Sequence, residues 1–226
     1  MTSVSWVRKA ARGLSRSRPL ARWLLGIDFP PVPEGARYFD ITTPVLVRAA
    51  RAYLDRSSRL LDMGTGAFAS IGLCLWRRTG CQVVSTDIHS DLVRQARENV
   101  ARNGAPNRVI EARFFEGVEG DFDCITFNIP YVPSRLLGAA GDFQSDGGAE
   151  GTSVIEAFLN AFVVRGGRAR ALLGVNCIFV PPQRFLPLVA ACPELVVEKT
   201  IRPPVWPVAV YVIRRREAAG GAARAW

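Results

Sequence analysis

Leu60-Leu61-Asp62-Met63-Gly64-Thr65-Gly66-Ala67 is the stretch from which the fold of this chain can be predicted. It is an apolar run that ends in an acid, turns through two glycines one residue apart, and continues into the apolar residues 67–76. The glycines permit positive φ angles and let a ligand approach bare backbone N–H groups. We therefore predict a buried strand, a tight turn and a buried helix. Two glycines with this spacing also occur in ordinary turns, so a ligand site needs support from elsewhere in the chain.

Two further apolar stretches end in polar residues where such a site would need them. Residues 81–87 form a second predicted strand that ends in Asp87, about twenty residues after the glycines, where an acid would hold a pair of ribose hydroxyls. Residues 122–127 form another predicted strand, which runs into Asn128-Ile129-Pro130-Tyr131. Ligands of open parallel sheets bind beyond the carboxyl ends of the strands, so we expect the glycines, Asp87 and Asn128 to converge.

These three motifs resemble, in order and spacing, those of the class I S-adenosylmethionine (SAM) dependent methyltransferases. Within that family they are similar to the HemK/PrmC-like group, which methylates amides and amines. Asp62-x-Gly64-x-Gly66 is similar to the family's glycine loop, Asp87 to its ribose acid, and residues 128–131 to its Asn-Pro-Pro-Tyr motif. The similarity covers about residues 38–175. It implies SAM as the co-substrate.

Strands and helices alternate along the chain, which is typical of a mostly parallel sheet covered on both faces. Together with the resemblance, this predicts an α/β protein with the Rossmann-like class I methyltransferase fold. We expect a mostly parallel seven-stranded sheet with an antiparallel edge strand, plus an N-terminal helical segment. The third strand is expected at about 108–114, and a helix from Thr43, as its N-cap, to about Leu54. Strands near 195–200 and 208–213 are expected to form an antiparallel hairpin at one edge.

The chain is expected to divide into residues 1–36, 37–216 and 217–226. These are a basic helical segment with a proline-rich linker, a SAM-binding catalytic domain, and a disordered tail. We expect the first segment to pack over the sheet or to cap the cofactor pocket; binding to a membrane surface or an acidic partner is the alternative. The glycine-rich residues 132–151 predict a long loop that contacts the substrate.

The resemblance implies a role for each residue of the cofactor site. Asp62 would hold the glycine loop or meet the SAM amino group, Asp87 would accept from both ribose hydroxyls, and Ile88 would lie against the adenine. Phe114 takes the place of the family's aromatic residue at the adenine edge. The expected cofactor-binding residues are Asp62, Gly64, Thr65, Gly66, Asp87, Ile88, Phe114 and Asn128.

Asn128 and Tyr131 are the catalytic residues that the resemblance implies. The side-chain oxygen of Asn128, with the main-chain carbonyl of Ile129, would accept the hydrogens of a substrate nitrogen and direct its lone pair at the methyl carbon. Tyr131 would stack on the acceptor or on the cation. SAM is already activated, so positioning supplies most of the acceleration and no strong base is required.

The chain departs from the family's pattern in several ways. Ile129 replaces the first proline of the Asn-Pro-Pro-Tyr motif, Phe68 replaces the third glycine of the loop, and Arg113 replaces an acid. We also see no separate N-terminal domain of the kind that bacterial release-factor methylators use to hold their protein substrate. These differences favour a small molecule or a peptide as the acceptor.

Two other functions stay open. A SAM-consuming cyclase would form azetidine-2-carboxylate and methylthioadenosine when the SAM amine attacks its own γ-carbon. An enclosure made by Phe68, Tyr131 and the N-terminal tryptophans would suit such a single-substrate pocket. A nucleic-acid methylator would instead hold its substrate with the basic N-terminal segment, and its binding would weaken steeply as salt rises.

The composition limits the remaining possibilities. The net charge is +9, but the basic residues are nearly all arginine and no nucleic-acid-binding signature is present, so a nucleic-acid partner is not expected. No apolar run reaches the roughly 18 residues of a membrane span. His89 is the only histidine and the five cysteines form no C-x-x-C pair, so we expect no metal site, and reduced thiols in a cytoplasmic protein. Nothing in the sequence indicates the oligomeric state.

Overall fold

The computed structural model describes residues 15–32, 38–137, 143–204 and 207–217. The strands are β1 (Arg59–Met63), β2 (Gln82–Asp87), β3 (Arg108–Glu111), β4 (Cys124–Asn128), β5 (Arg170–Asn176), β6 (Leu195–Ile201) and β7 (Val208–Arg215). They form one seven-stranded sheet in the order β3-β2-β1-β4-β5-β7-β6. Neighbouring strands are parallel except where β7 pairs with β5 and β6. The predicted fold class is confirmed, and β7, which runs against all the others, lies one place in from the edge strand β6.

Helices cover both faces of the sheet. They are α1 (Arg18–Leu25), α2 (Thr42–Ala50), α3 (Ser70–Thr79), α4 (Ser90–Arg102), α5 (Ser153–Arg165) and α6 (Pro182–Ala190). Successive strand residues point to opposite faces, so Leu60 joins the core beneath α1 to α4 and Leu61 joins the core beneath α5 and α6. Both leucines are fully buried. Burial of each side chain contributes about 1.5–3 kcal/mol to folding.

The sheet order places the ends of three strands side by side. The order in which strands are added to the sheet reverses at β1: β2 and β3 lie on one side of it, and β4 lies on the other side. Met63, the last residue of β1, pairs with Thr86 of β2 and with Phe127 of β4. The residues that follow these three strands therefore meet at one edge, which is the usual ligand position in an open α/β sheet.

Two predicted boundaries differ from the structure. Thr43 is not the N-cap of α2: the helix begins at Thr42, whose N–H donates to Oδ1 of Asp40 at 2.8 Å. The carboxylate of Asp40 is a stronger acceptor than a threonine hydroxyl and takes the capping role. Strand β3 ends at Glu111 rather than near residue 114. The chain turns after it, and Phe114 has the positive φ of 51°.

Residues 15–32 pack on the sheet face that carries α3 and α4. Ala21 and Leu25 of α1, and Phe29 beyond it, are buried in that core. The predicted boundary at 36/37 lies within 33–37, outside the described residues, and so do 1–14 and 218–226. The domain division stays a prediction. In the described part of the chain, no helix combines the length and the apolar character that crossing a membrane requires.

Candidate active site

The glycine loop joins β1 to α3 and has the positive φ angles that its sequence predicts. Gly64 has φ 63° and Gly66 has φ 61°. A Cβ at Gly64 would lie 2.6 Å from Cε2 of Phe127, so the strand end leaves no room for a side chain. The N–H of Thr65, between them, donates to the carbonyl of Thr86 at 2.9 Å. The loop is thus fixed against the ends of both β4 and β2.

Asp62 lies beneath the loop and holds it. Its Oδ1 accepts from Oγ1 of Thr126 at 3.0 Å, and its Oδ2 accepts from Oγ1 of Thr65 at 2.6 Å and from the N–H of Gly72 at 3.0 Å. The side chain is fully buried, and desolvation raises the pKa of Asp62 to about 6 against the lowering effect of these hydrogen bonds. Its side chain has no exposed surface and is not among the residues that line the cavity described below. The hydrogen bonds are those of a residue that holds the loop, and the contact with the SAM amino group stays a prediction.

Asp87 connects the end of β2 to the glycine loop. Its Oδ2 accepts from the N–H of Gly66 at 2.9 Å and its Oδ1 accepts from the N–H of His89 at 3.1 Å. These two bonds leave further acceptor capacity on the carboxylate. Asp87 is also one of the residues that line the cavity described next.

A cavity of about 1200 Å³ opens at the edge where β1, β2 and β4 end. It is lined by every predicted site residue except Asp62, namely Gly64, Thr65, Gly66, Asp87, Ile88, Phe114, Asn128 and Tyr131. Pockets for one small ligand are usually about 300–1,000 Å³. The cavity therefore has room for a nucleoside cofactor and for part of a second molecule.

One wall of the cavity is aromatic and joins the N-terminal segment to the loop. The ring of Phe68 lies 5.6 Å from that of Phe29 and 5.7 Å from that of Tyr38. The carbonyl of Phe68 accepts from Nδ2 of Asn99 at 3.2 Å. The predicted contribution of the N-terminal tryptophans is wrong for Trp23, which is 80% exposed. Trp6 lies outside the described residues.

The turn after β3 forms another part of the cavity lining. The ring of Phe114 contacts those of Phe127 and Phe158 at 6.3 and 6.1 Å between centroids, both edge to face. The guanidinium of Arg113 lies 5.7 Å from the Phe114 centroid. Ile88 also lines the cavity and is 57% exposed. Ile88 and Phe114 therefore both offer apolar surface to the cavity, and their contact with the adenine stays a prediction.

Asn128 stands at the end of β4 with an unused acceptor. Its Oδ1 is buried and has no hydrogen-bond partner among the described residues. The neighbouring strand residue is Gly174, where a Cβ would lie 3.3 Å from this oxygen and 2.5 Å from Cγ2 of Thr42. The glycine therefore keeps the space beside the amide open. Ile129, whose carbonyl is the predicted second acceptor, is buried but lies among the residues that line the cavity, and this role stays a prediction.

Sequence reasoning missed Asp40. Its Oδ2 accepts from the hydroxyl of Tyr131 at 3.2 Å, while its Oδ1 caps α2. It lines the cavity together with Tyr38 and Phe39. The position just before a helix indicates a capping residue, but nothing in the sequence indicates that it meets a tyrosine 91 residues away.

The loop predicted to contact a substrate folds over the cavity. Gln144, Ser145 and Asp146 line it, and Oε1 of Gln144 would lie 3.8 Å from a Cβ at Gly66. Oδ1 of Asp146 accepts from Oγ of Ser134 at 2.7 Å and from an N–H of the loop. These bonds lower the pKa of Asp146. The loop therefore presents an ionised carboxylate at the cavity; residues 138–142 lie outside the described residues.

Comparisons with known proteins agree with this geometry. The family model described as Methyltransferase small domain matches residues 35–137. A release factor glutamine methyltransferase from Agrobacterium fabrum is 30% identical over 162 residues, which are 65% of this chain and 54% of the relative. These comparisons support the resemblance to the class I SAM-dependent methyltransferases and, within them, to the HemK-like group.

Two solved structures show the same methyltransferase fold. A methyltransferase from Pyrococcus furiosus has a TM-score of 0.62 at 22% identity and covers 92% of this chain and 98% of its own. The T. thermophilus 16S rRNA N2 G1207 methyltransferase in complex with AdoMet and guanosine has a TM-score of 0.56 at 19% identity, covering 83% of this chain and 52% of its own. At these identities the likeness concerns the fold.

SAM is the co-substrate of the methyltransferases that these comparisons indicate, and one of the two solved structures contains it. The chain spans about half the length of the Agrobacterium relative. Its acceptor and the roles of individual site residues are therefore matters for proposal.

Proposed function

We propose that this methyltransferase transfers the methyl group of SAM to an amide or amine nitrogen of a small molecule or peptide. The observation that carries the proposal is the unpartnered Oδ1 of Asn128 at the end of β4, in a residue that lines the cavity. Leaving a buried carbonyl oxygen without a donor costs about 1–3 kcal/mol, and a substrate N–H would remove that cost.

The remaining lining residues support a defined placement of SAM. The glycine loop, whose backbone carries no side chain at Gly64 and Gly66, would accommodate the methionine part, and Asp87 would accept from the ribose hydroxyls. Ile88 and Phe114 would enclose the adenine. SAM supplies an activated methyl group, so these residues bind and orient it rather than activate it.

Asn128 would orient the acceptor nitrogen. Rotation about the Cβ–Cγ bond exchanges the oxygen and nitrogen of the side-chain amide, so Oδ1 can turn from Gly174 toward the cavity. A nitrogen whose N–H group donates to this oxygen keeps its lone pair out of the hydrogen bond, so that the lone pair can attack the methyl carbon. Tyr131, whose ring stacks on Phe179 at 6.0 Å, would pack against the acceptor.

The relatives suggest which acceptors to test first. The Agrobacterium relative is named for glutamine in a release factor, and the T. thermophilus structure for a guanosine of ribosomal RNA. A glutamine-containing peptide is the first acceptor we would offer, followed by amines and by RNA.

The test is product analysis by mass spectrometry after incubation with SAM, with and without these acceptors. We expect S-adenosylhomocysteine together with an N-methylated acceptor. Asn128→Ala should reduce turnover by about 100-fold, since one substrate-orienting contact is lost, while the Kd for S-adenosylhomocysteine changes little. Asn160→Ala, on the exposed side of α5, is the matched control and should keep full turnover.

Two results would contradict the proposal. Full activity in Asn128→Ala would remove Asn128 from the chemistry. Methylthioadenosine formed from SAM alone, well above the spontaneous background, would favour the cyclase that forms azetidine-2-carboxylate.

A further inference from the structure

Asp40 places a carboxylate at the acceptor end of the cavity. Its Oδ2 accepts from the hydroxyl of Tyr131, the last residue of the segment that begins at Asn128. Its Oδ1 accepts from the N–H of Thr42 at the start of α2. The two bonds fix both oxygens, so the charge is held in place beside Tyr131 rather than on a mobile side chain.

The charge of the cavity is opposite to that of the protein. The described lining residues carry four carboxylates (Asp40, Asp87, Asp91 and Asp146) and one guanidinium (Arg113), although the chain has a net charge of +9. Asp87 is bonded to the glycine loop, Asp91 forms an ion pair with Arg94 at 3.7 Å, and Asp146 belongs to the loop over the cavity. Asp40 is the carboxylate that contacts the motif tyrosine. A polyanion entering the cavity would meet repulsion, whereas a cation would be attracted.

We propose that Asp40, acting through Tyr131, makes this site selective for an acceptor whose nitrogen arrives as an ammonium group, an amine rather than a neutral amide. The inference rests on the proposed function and names its substrate class. Asp40 is a specificity and positioning residue, because its contact with the acceptor runs through the tyrosine hydroxyl.

An ammonium must lose a proton before its nitrogen can attack the methyl carbon. Tyr131 and Asp40 together can accept this proton. The nitrogen donates to the hydroxyl oxygen of Tyr131, whose own proton passes to Oδ2 of Asp40. The freed lone pair forms the N–CH₃ bond as the S–CH₃ bond breaks, and the sulfonium electron pair returns to sulfur. The products are a methylated ammonium, S-adenosylhomocysteine and one proton, which Asp40 releases to solvent.

The probe is sinefungin, the SAM analogue in which a carbon bearing an ammonium replaces the methylated sulfur. Its extra ammonium occupies the place of the methyl group, next to the acceptor. We expect the wild-type protein to bind sinefungin about tenfold or more tightly than S-adenosylhomocysteine, as expected for one added charge pair near a protein surface. Isothermal titration calorimetry measures both Kd values.

Asp40→Asn removes the charge but keeps an oxygen that can cap α2. We expect it to reduce the preference for sinefungin by about tenfold while the Kd for S-adenosylhomocysteine stays within about twofold. Tyr131→Phe, which removes the connecting hydroxyl, should cause the same loss and tests the inference a second time. Asp121→Asn is the control for net charge, because Asp121 is exposed before β4 at the opposite ends of the strands.

The outcomes separate the inference from the proposed function. An unchanged preference in Asp40→Asn would overturn the inference. Equal weakening of both ligands would also overturn it, since both carry the amino-acid ammonium and Asp40 would then hold that group of the cofactor. Absence of any binding of S-adenosylhomocysteine to the wild-type protein would instead overturn the proposed function.

Discussion

At the scale of the residue, Asp62 supports the glycine loop, but its burial disfavours the ionised form of its carboxyl group. Its carboxylate accepts three hydrogen bonds beneath the loop but has no contact with solvent. Desolvation is the largest influence on it and raises its pKa to about 6. The folded protein therefore holds a proton on Asp62 at a pH where the unfolded chain has released it.

This difference predicts how stability depends on pH. The contribution of a group with a raised pKa is present in full below its unfolded value, near 3.8, and is lost as the pH rises through about 6. We expect the free energy of unfolding of the wild type, relative to Asp62→Asn, to fall by about 2 kcal/mol between pH 4 and pH 6.5. Urea unfolding of both proteins across this range measures it. A constant difference between them would contradict the assignment.

Gly72 is the glycine that allows the helix after the loop to approach the sheet closely. The resemblance places the third glycine of the loop at Phe68, but the close approach occurs four residues later. A Cβ at Gly72 would lie 2.9 Å from Oγ of Ser85 and 3.1 Å from Oδ2 of Asp62. The absence of a side chain there lets α3 lie directly on β1 and β2.

At the scale of the element, the N-terminal segment is tied to α3 and α4 by specific hydrogen bonds. The side-chain amide of Asn103 accepts from the N–H of Asp28 at 2.8 Å and donates to its carbonyl at 3.0 Å. Arg78 donates to the carbonyl of Leu24 at 2.6 Å. Phe29 follows Asp28 directly, and its ring packs against the ring of Phe68 at the cavity wall. The predicted packing of the segment over the sheet therefore also shapes one wall of the cavity.

Asn103→Ala should loosen this segment selectively. Loss of the two hydrogen bonds to Asp28 removes about 1–3 kcal/mol of local stability from the segment. We expect faster hydrogen exchange in residues 15–32 and a several-fold higher Kd for S-adenosylhomocysteine, with exchange in β1 and β4 unchanged. Arg102→Ala, the exposed neighbour on α4, serves as the control. Equal hydrogen-exchange protection of residues 15–32 in both variants would show that the hydrogen bonds between Asn103 and Asp28 do not hold this segment.

At the scale of the whole molecule, local sequence patterns predict which strand ends form the site, but they do not predict the hydrogen bonds between residues distant in sequence. Alternating strands and helices predict a parallel sheet, and the rule for open sheets then brings Gly64, Asp87 and Asn128 together. The contact of Asp40 with Tyr131 spans 91 residues, and that of Asp28 with Asn103 spans 75. Such pairs depend on how elements pack, and neither residue type nor spacing indicates them. For the same reason the burial of Asp62 could not be predicted.

We expect SAM to bind at the edge where β1, β2 and β4 end. Isothermal titration calorimetry of S-adenosylhomocysteine with the wild type and Asp87→Ala tests this most directly. We predict one site per chain in the wild type and a Kd at least about tenfold higher in the variant, because the ribose hydroxyls lose a charged acceptor. No heat of binding in the wild type, or equal affinity in both proteins, would contradict it.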